Sequence, residues 1–86
     1  MIEVSRFYGI VVEMEKGDTP PAHFHVRYGG AVVLIGIERL TVLKGRLPAR
    51  ALGLVMEWAS LRREELRRNW KRGQQLEEPG SIPPLE

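Results

Sequence analysis

Apolar positions keep two rhythms along this chain, and the change falls near residue 45. In the first half, short apolar runs are separated by turn residues. Phe7 to Met14 is rich in aromatic and β-branched side chains, the composition of a strand. Gly17-Asp18-Thr19-Pro20-Pro21 breaks it, because Gly and Asp favour a turn and two prolines remove two backbone donors. His23 to Tyr28 alternates polar and apolar positions, and Gly29-Gly30 is a two-residue hairpin signal. Ala31 to Ile37 is an almost unbroken apolar run, suited to a strand buried on both faces. Arg39 to Lys44 follows after a tight link at Glu38. The pattern predicts an antiparallel meander of three to four strands, about 6–15, 22–28, 30–37 and 39–44.

Beyond Gly45-Arg46-Leu47-Pro48 the period becomes helical. Pro48 suits a first helical turn, where its missing N–H is not needed. Leu52, Val55, Ala59, Leu66 and Trp70 then recur at three- and four-residue steps, which predicts one long helix over about 48–73. Its apolar stripe, Leu52, Val55, Leu66 and Trp70, is expected on the sheet. Gly53, about 1 kcal/mol worse than Ala in a helix, would mark a close approach to it. Ser60 offers a cap for a second helix, so a kink there is the alternative. Trp58 and Trp70, at helical spacing, read as core or interface residues. Residues 76–86 hold three prolines and a glycine and read as a mobile or extended tail. The expected fold is α+β: a single domain over 1–75, its sheet covered by one C-terminal helix, with a flexible tail over 76–86.

At 86 residues the chain is too short for two independent cores. With 43% hydrophobic and 28% charged residues, wholesale disorder is excluded. The longest uncharged apolar run, Ala31 to Ile37, is too short to cross a bilayer, so no membrane partner is expected. Glu3, Ser5 and Arg6 interrupt any secretory leader, and the absence of cysteine removes disulfides and thiolate metal sites. A cytoplasmic location is the expectation.

The formal charge of +2 is unevenly placed. Residues 47–75 carry seven basic and three acidic groups, whereas 76–86 carry only Glu77, Glu78 and Glu86. Ten of the 13 basic residues are Arg, whose planar fork suits phosphate or carboxylate. A solvated helix face is the plain reading. The sharper one is an anionic partner, RNA, DNA or an acidic protein surface, with Arg63, Arg67, Arg68, Lys71 and Arg72 as the nucleic-acid-binding candidates.

Candidate chemistry concentrates in Ala22-His23-Phe24-His25-Val26-Arg27-Tyr28. Strand alternation puts His23, His25 and Arg27 on one face and Phe24, Val26 and Tyr28 on the other. The second set is the core set, so both imidazoles and the guanidinium should point to solvent or a cleft. Imidazole serves as general base, general acid or metal ligand, and a neighbouring Arg can steady a phosphate. Arg6 and Tyr8 share a strand face that would lie beside the histidines. His, Arg and Tyr without a nucleophile fit metal-free RNA cleavage, in which the substrate's 2′-OH attacks. The plain alternatives are surface histidines and a surface Arg over an aromatic ring. Histidines at i and i+2 can chelate a metal, with Asp18 or Glu13 the nearest oxygen donors, but that spacing alone is a weak signal. No metal and no cofactor is expected.

Four blocks in order resemble a small bacterial family, domain of unknown function 4160. They are Ser5-Arg6-Phe7-Tyr8-Gly9-Ile10; Pro20-Pro21-Ala22-His23-Phe24-His25-Val26-Arg27-Tyr28-Gly29; Gly45-Arg46-Leu47-Pro48; and Glu57-Trp58-Ala59 with Glu64-Glu65-Leu66 and Asn69-Trp70. The likeness covers roughly residues 4–72. Its His-Phe-His maps onto His23, Phe24 and His25, and its Arg-Phe onto Arg6 and Phe7. Members resemble the toxin half of two-gene type II toxin–antitoxin modules, beside a presumed antitoxin of domain of unknown function 2442. The resemblance therefore implies an antitoxin-like protein partner and a target in RNA or translation. A homodimer is the other assembly in view. Two positions depart from the family pattern. Thr19 stands where a further His usually follows the Asp matched by Asp18, and Ala22 stands where Pro usually precedes His-Phe-His. A non-catalytic regulatory module, binding nucleic acid or protein through the basic helix face, is the alternative to a toxin.

Overall fold

A computed structural model describes all residues, 1–86. Five strands form one antiparallel sheet in sequence order: β1 (Ile2–Phe7), β2 (Ile10–Met14), β3 (His23–Tyr28), β4 (Ala31–Gly36) and β5 (Val42–Gly45). The α+β class and the antiparallel meander are as expected, but the first expected strand is two. The chain folds back at Tyr8-Gly9, where both residues take positive φ, 50° and 78°. Such a pair matches the twist of a two-residue hairpin. It pairs Phe7 with Ile10 and Arg6 with Val11.

The single long helix is also two. α1 runs Ala49–Leu61 and α2 runs Arg63–Gln74. Arg62 breaks the path at φ −114°, ψ 21°, with its N–H shared between the Trp58 and Ala59 carbonyls. Neither Pro nor Gly causes the break. Ser60 caps nothing; its Oγ donates back to the Glu57 carbonyl at 2.8 Å, a bond that bends helices. The turn at Arg62 brings Leu66, Asn69 and Gly73 to the buried side of α2.

One sheet face carries the core. Ile10, Val12, Phe24, Val26, Val33 and Ile35 are fully buried there, against Ala51, Val55, Trp58, Ala59 and Leu66 of the helices. Trp58 is its centre, 5.4 Å from the Phe7 ring and 5.9 Å from the Phe24 ring. Leu52 and Trp70, expected in that stripe, are only partly buried. Gly53 has nothing within 4 Å of a would-be Cβ. The close approach lies instead at Gly73, whose Cβ would stand 3.2 Å from the Glu15 carbonyl oxygen.

Residues 77–86 run without regular structure, but they are docked. Asn69 Nδ2 donates to the Gly80 carbonyl while Gly80 N–H donates to Asn69 Oδ1, at 2.8 and 2.9 Å. Ile82 is buried and its N–H donates to the Val4 carbonyl at the β1 edge. Pro83 accepts the Trp58 indole N–H at 2.8 Å. The prolines that suggested a free tail let it lie extended across the helices. No helix is long and apolar enough to cross a membrane.

Candidate functional site

The loop from Glu15 to Ala22 folds over the start of β3, and α2 holds it there. Gly17 N–H donates to the Gly73 carbonyl at 2.9 Å, and Gln74 Nε2 donates to the Asp18 carbonyl at 2.9 Å. Glycine at position 73 eases this approach, since a Cβ there would push on the Glu15 carbonyl. The clamp swings the Asp18 side chain back toward β3. Its Oδ2 lies 2.9 Å from His23 Nε2 and 3.1 Å from His25 Nε2, while Oδ1 accepts the Thr19 amide at 2.9 Å.

Alternation along β3 holds, and of the two surroundings expected for the imidazoles, solvent or a cleft, they have an enclosed one. Their side chains are only 7% (His23) and 15% (His25) exposed, and Asp18 is 19% exposed. The loop above them is the reason. His23 is the inner ring. It stands 5.3 Å from the Trp70 ring and 5.2 Å from His25, and its Nδ1 lies 2.7 Å from the Pro21 carbonyl. A carbonyl only accepts, so Nδ1 of His23 carries the hydrogen. His25 is the outer ring, and its Nδ1 makes no hydrogen bond. Burial by itself pushes the Asp18 carboxyl up. The hydrogen bonds from His25 and from the Thr19 amide lead the effects that outweigh it and hold the group below the usual carboxylate range.

The other sequence candidates lie elsewhere. Arg27 shares the histidine face but closes on Glu13, Nε to Oε1 at 2.9 Å and Nη2 to Oε2 at 3.2 Å. Arg6 occupies the same cross-strand row as Arg27, with Val11 between them, and closes on Glu3 at 2.8 Å. Both guanidinium pKa values are raised, Arg27 chiefly by its bond to Glu13 and Arg6 chiefly by its bond to Glu3. Tyr8 does not join the histidines. The hairpin turn at Tyr8-Gly9 carries it to the other end of the sheet, where it is 61% exposed. There it lines a cleft of about 390 Å³ with Tyr28, Ile10, Arg50, Leu54 and Leu85. Tyr28, expected in the core, is part of that wall and 38% exposed.

On α2, Arg67 bridges Glu38 at 2.8 Å and also binds Glu64. Arg63 is half-buried, with its Nε enclosed and unpartnered. Arg68, Lys71 and Arg72 are exposed and in no ion pair, which leaves three free cations on two successive turns. Asp18 as the hub and Trp70, Gly73 and Gln74 as its supports were missed as site residues. Asp18 was visible only as the oxygen donor nearest to the histidines.

Residues 9–71 match the family model described as domain of unknown function (DUF4160). The chain belongs to that family. The matched span holds Asp18, both histidines and α2 as far as Lys71. Neither a curated protein nor a solved structure matches the chain.

Proposed function

We propose that this DUF4160 protein is the toxin-type member of a two-gene bacterial module, acts in the cytoplasm on RNA, and is held by an antitoxin-like partner. The partner and the module follow from the family resemblance. The observation that carries the chemistry is one carboxylate oxygen, Asp18 Oδ2, organising two imidazoles. A carboxylate that accepts Nε2–H of His25 fixes its tautomer and leaves Nδ1 as a lone pair facing outward. This is the logic of the carboxylate-held histidine base. In RNA cleavage the 2′-oxygen attacks phosphorus and its proton passes to His25 Nδ1. The P–O5′ bond then breaks, and the leaving oxygen takes a proton from His25 or water. His23, the inner ring with its Nδ1–H on the Pro21 carbonyl, backs the site rather than touching substrate. Arg68, Lys71 and Arg72 supply the phosphate-binding surface.

The test is expression without the partner gene, with growth and RNA integrity followed together. Growth arrest with RNA cleavage is expected. His25→Ala should slow cleavage by about 10²–10⁴-fold, the ordinary worth of a general base. Unaffected growth and intact RNA would overturn the reading. The free cations on α2 favour a second reading, a non-catalytic nucleic-acid-binding regulator. It predicts binding that His25→Ala leaves intact, that Arg68→Glu, Lys71→Glu and Arg72→Glu together abolish, and that weakens with salt.

A further inference from the structure

We infer that Asp18, His23 and His25 form a binding site for a divalent first-row transition ion of the zinc class. It concerns the proposed functional centre but does not rest on RNA being the target. The hydrogen count is the first argument. His23 Nδ1 gives its hydrogen to the Pro21 carbonyl at 2.7 Å, so the neutral ring presents a bare lone pair at Nε2. That lone pair faces Asp18 Oδ2, an acceptor, at 2.9 Å. Two acceptors at hydrogen-bond distance require a proton or a cation between them. A metal meets the requirement for both imidazoles at once.

Geometry is the second argument. The three ligand atoms lie within 4.8 Å of one another. Tetrahedral ligation with bonds of about 2.0–2.2 Å separates ligand atoms by about 3.3–3.6 Å. The observed 2.9 and 3.1 Å distances therefore need only a few tenths of an ångström of opening. The surroundings are those of a ligated histidine. The Pro21 carbonyl takes the second ring N–H and sets the tautomer, and Trp70 backs the inner ring. Two imidazoles and a carboxylate, with no thiolate in the chain, select a borderline ion. Three protein ligands leave a position open to water on the side where His25 and Asp18 are exposed, which is the entry path and the place for exchangeable chemistry. A bound ion takes the Nε2 lone pair of His25 and moves its hydrogen to Nδ1, so ligation and the proton-transfer role exclude each other at that ring.

The experiment is titration of tag-free, full-length protein with Zn²⁺ by calorimetry and with Co²⁺ by visible absorption. Expected are one ion per chain, a tetrahedral-type Co²⁺ spectrum and quenching of Trp70 emission. His25→Ala and Asp18→Asn, on side chains that reach solvent, should each weaken binding by about 100-fold. Far-ultraviolet circular dichroism checks that they fold. Glu57→Gln, in the Tyr8 cleft at the other end of the sheet, should leave affinity unchanged. No saturable binding by the wild-type protein, or binding that both cluster variants retain, would overturn the site. RNA cleavage, assayed with and without chelator, is a separate readout. Zn²⁺ binding without any cleavage refutes the RNA reading and leaves the metal site standing.

Discussion

Both carboxylate oxygens of Asp18 are in use, on Thr19 and on two rings, so its removal strands partners rather than merely deleting a contact. Asp18→Ala leaves the Nε2–H of His25 and the Thr19 amide without their acceptor. The unfolding free energy should fall by about 1–3 kcal/mol in a urea titration. Ser5 makes the opposite case. Its hydroxyl is enclosed beside the β1 irregularity with no hydrogen-bond partner. Ser5→Ala should therefore cost nothing and stabilise by up to about 1 kcal/mol. A shift of the urea midpoint downward would contradict this. Glu38 shows how charge acts at the surface. The hydrogen bond from Arg67 holds its carboxyl below the ordinary value of 4.5. A group depressed in the folded state contributes stability above its unfolded pKa and loses it as pH falls through the folded one. The gap between wild type and Glu38→Gln should therefore be present at pH 7, shrink in strong salt, and vanish once the pH is well below 4.5.

At the scale of elements, glycines mark where backbones meet. Gly45 has φ 87°, and a Cβ there would stand 2.2 Å from the Val32 carbonyl oxygen. Gly45→Ala should destabilise the β4–β5 pair by about 1–3 kcal/mol, whereas Gly30→Ala, with open space around it, should change little. Chemical denaturation of the two variants side by side checks the contrast. Much of the sheet was legible because Gly29-Gly30 and the Ala31–Ile37 run are strong local signals. The Tyr8-Gly9 hairpin was not, since a tyrosine at positive φ runs against backbone preference and Phe7 to Met14 looks like one continuous strand. The helix break was hidden for a related reason. The apolar step pattern continues through Arg62, and only the packing of Leu66, Asn69 and Gly73 requires the bend. In the site, alternation gave the shared face of His23, His25 and Arg27. The reach of Asp18 depends on how the Pro20-Pro21 loop lies on α2, a tertiary fact with no periodic trace.

At the scale of the whole molecule, the C-terminal segment is part of the structure that the two helices and the sheet share. Ile82 is 3% exposed and joins the core. Ile82→Ala should cost about 2–5 kcal/mol in thermal or chemical unfolding, as for other buried aliphatics. Leu76→Ala, at a position 71% exposed, should not. The same segment also sets what the sheet can join. Its contact with Val4 obstructs the β1 side, while all four residues of β5 remain exposed with no strand beyond them. Continued head-to-tail growth of a fibre needs two free borders on every molecule, and this one offers a single border. Strand addition must therefore stop at a pair, whether the second chain is a copy or a different protein. Light scattering across a concentration series should plateau at twice the monomer mass rather than climb.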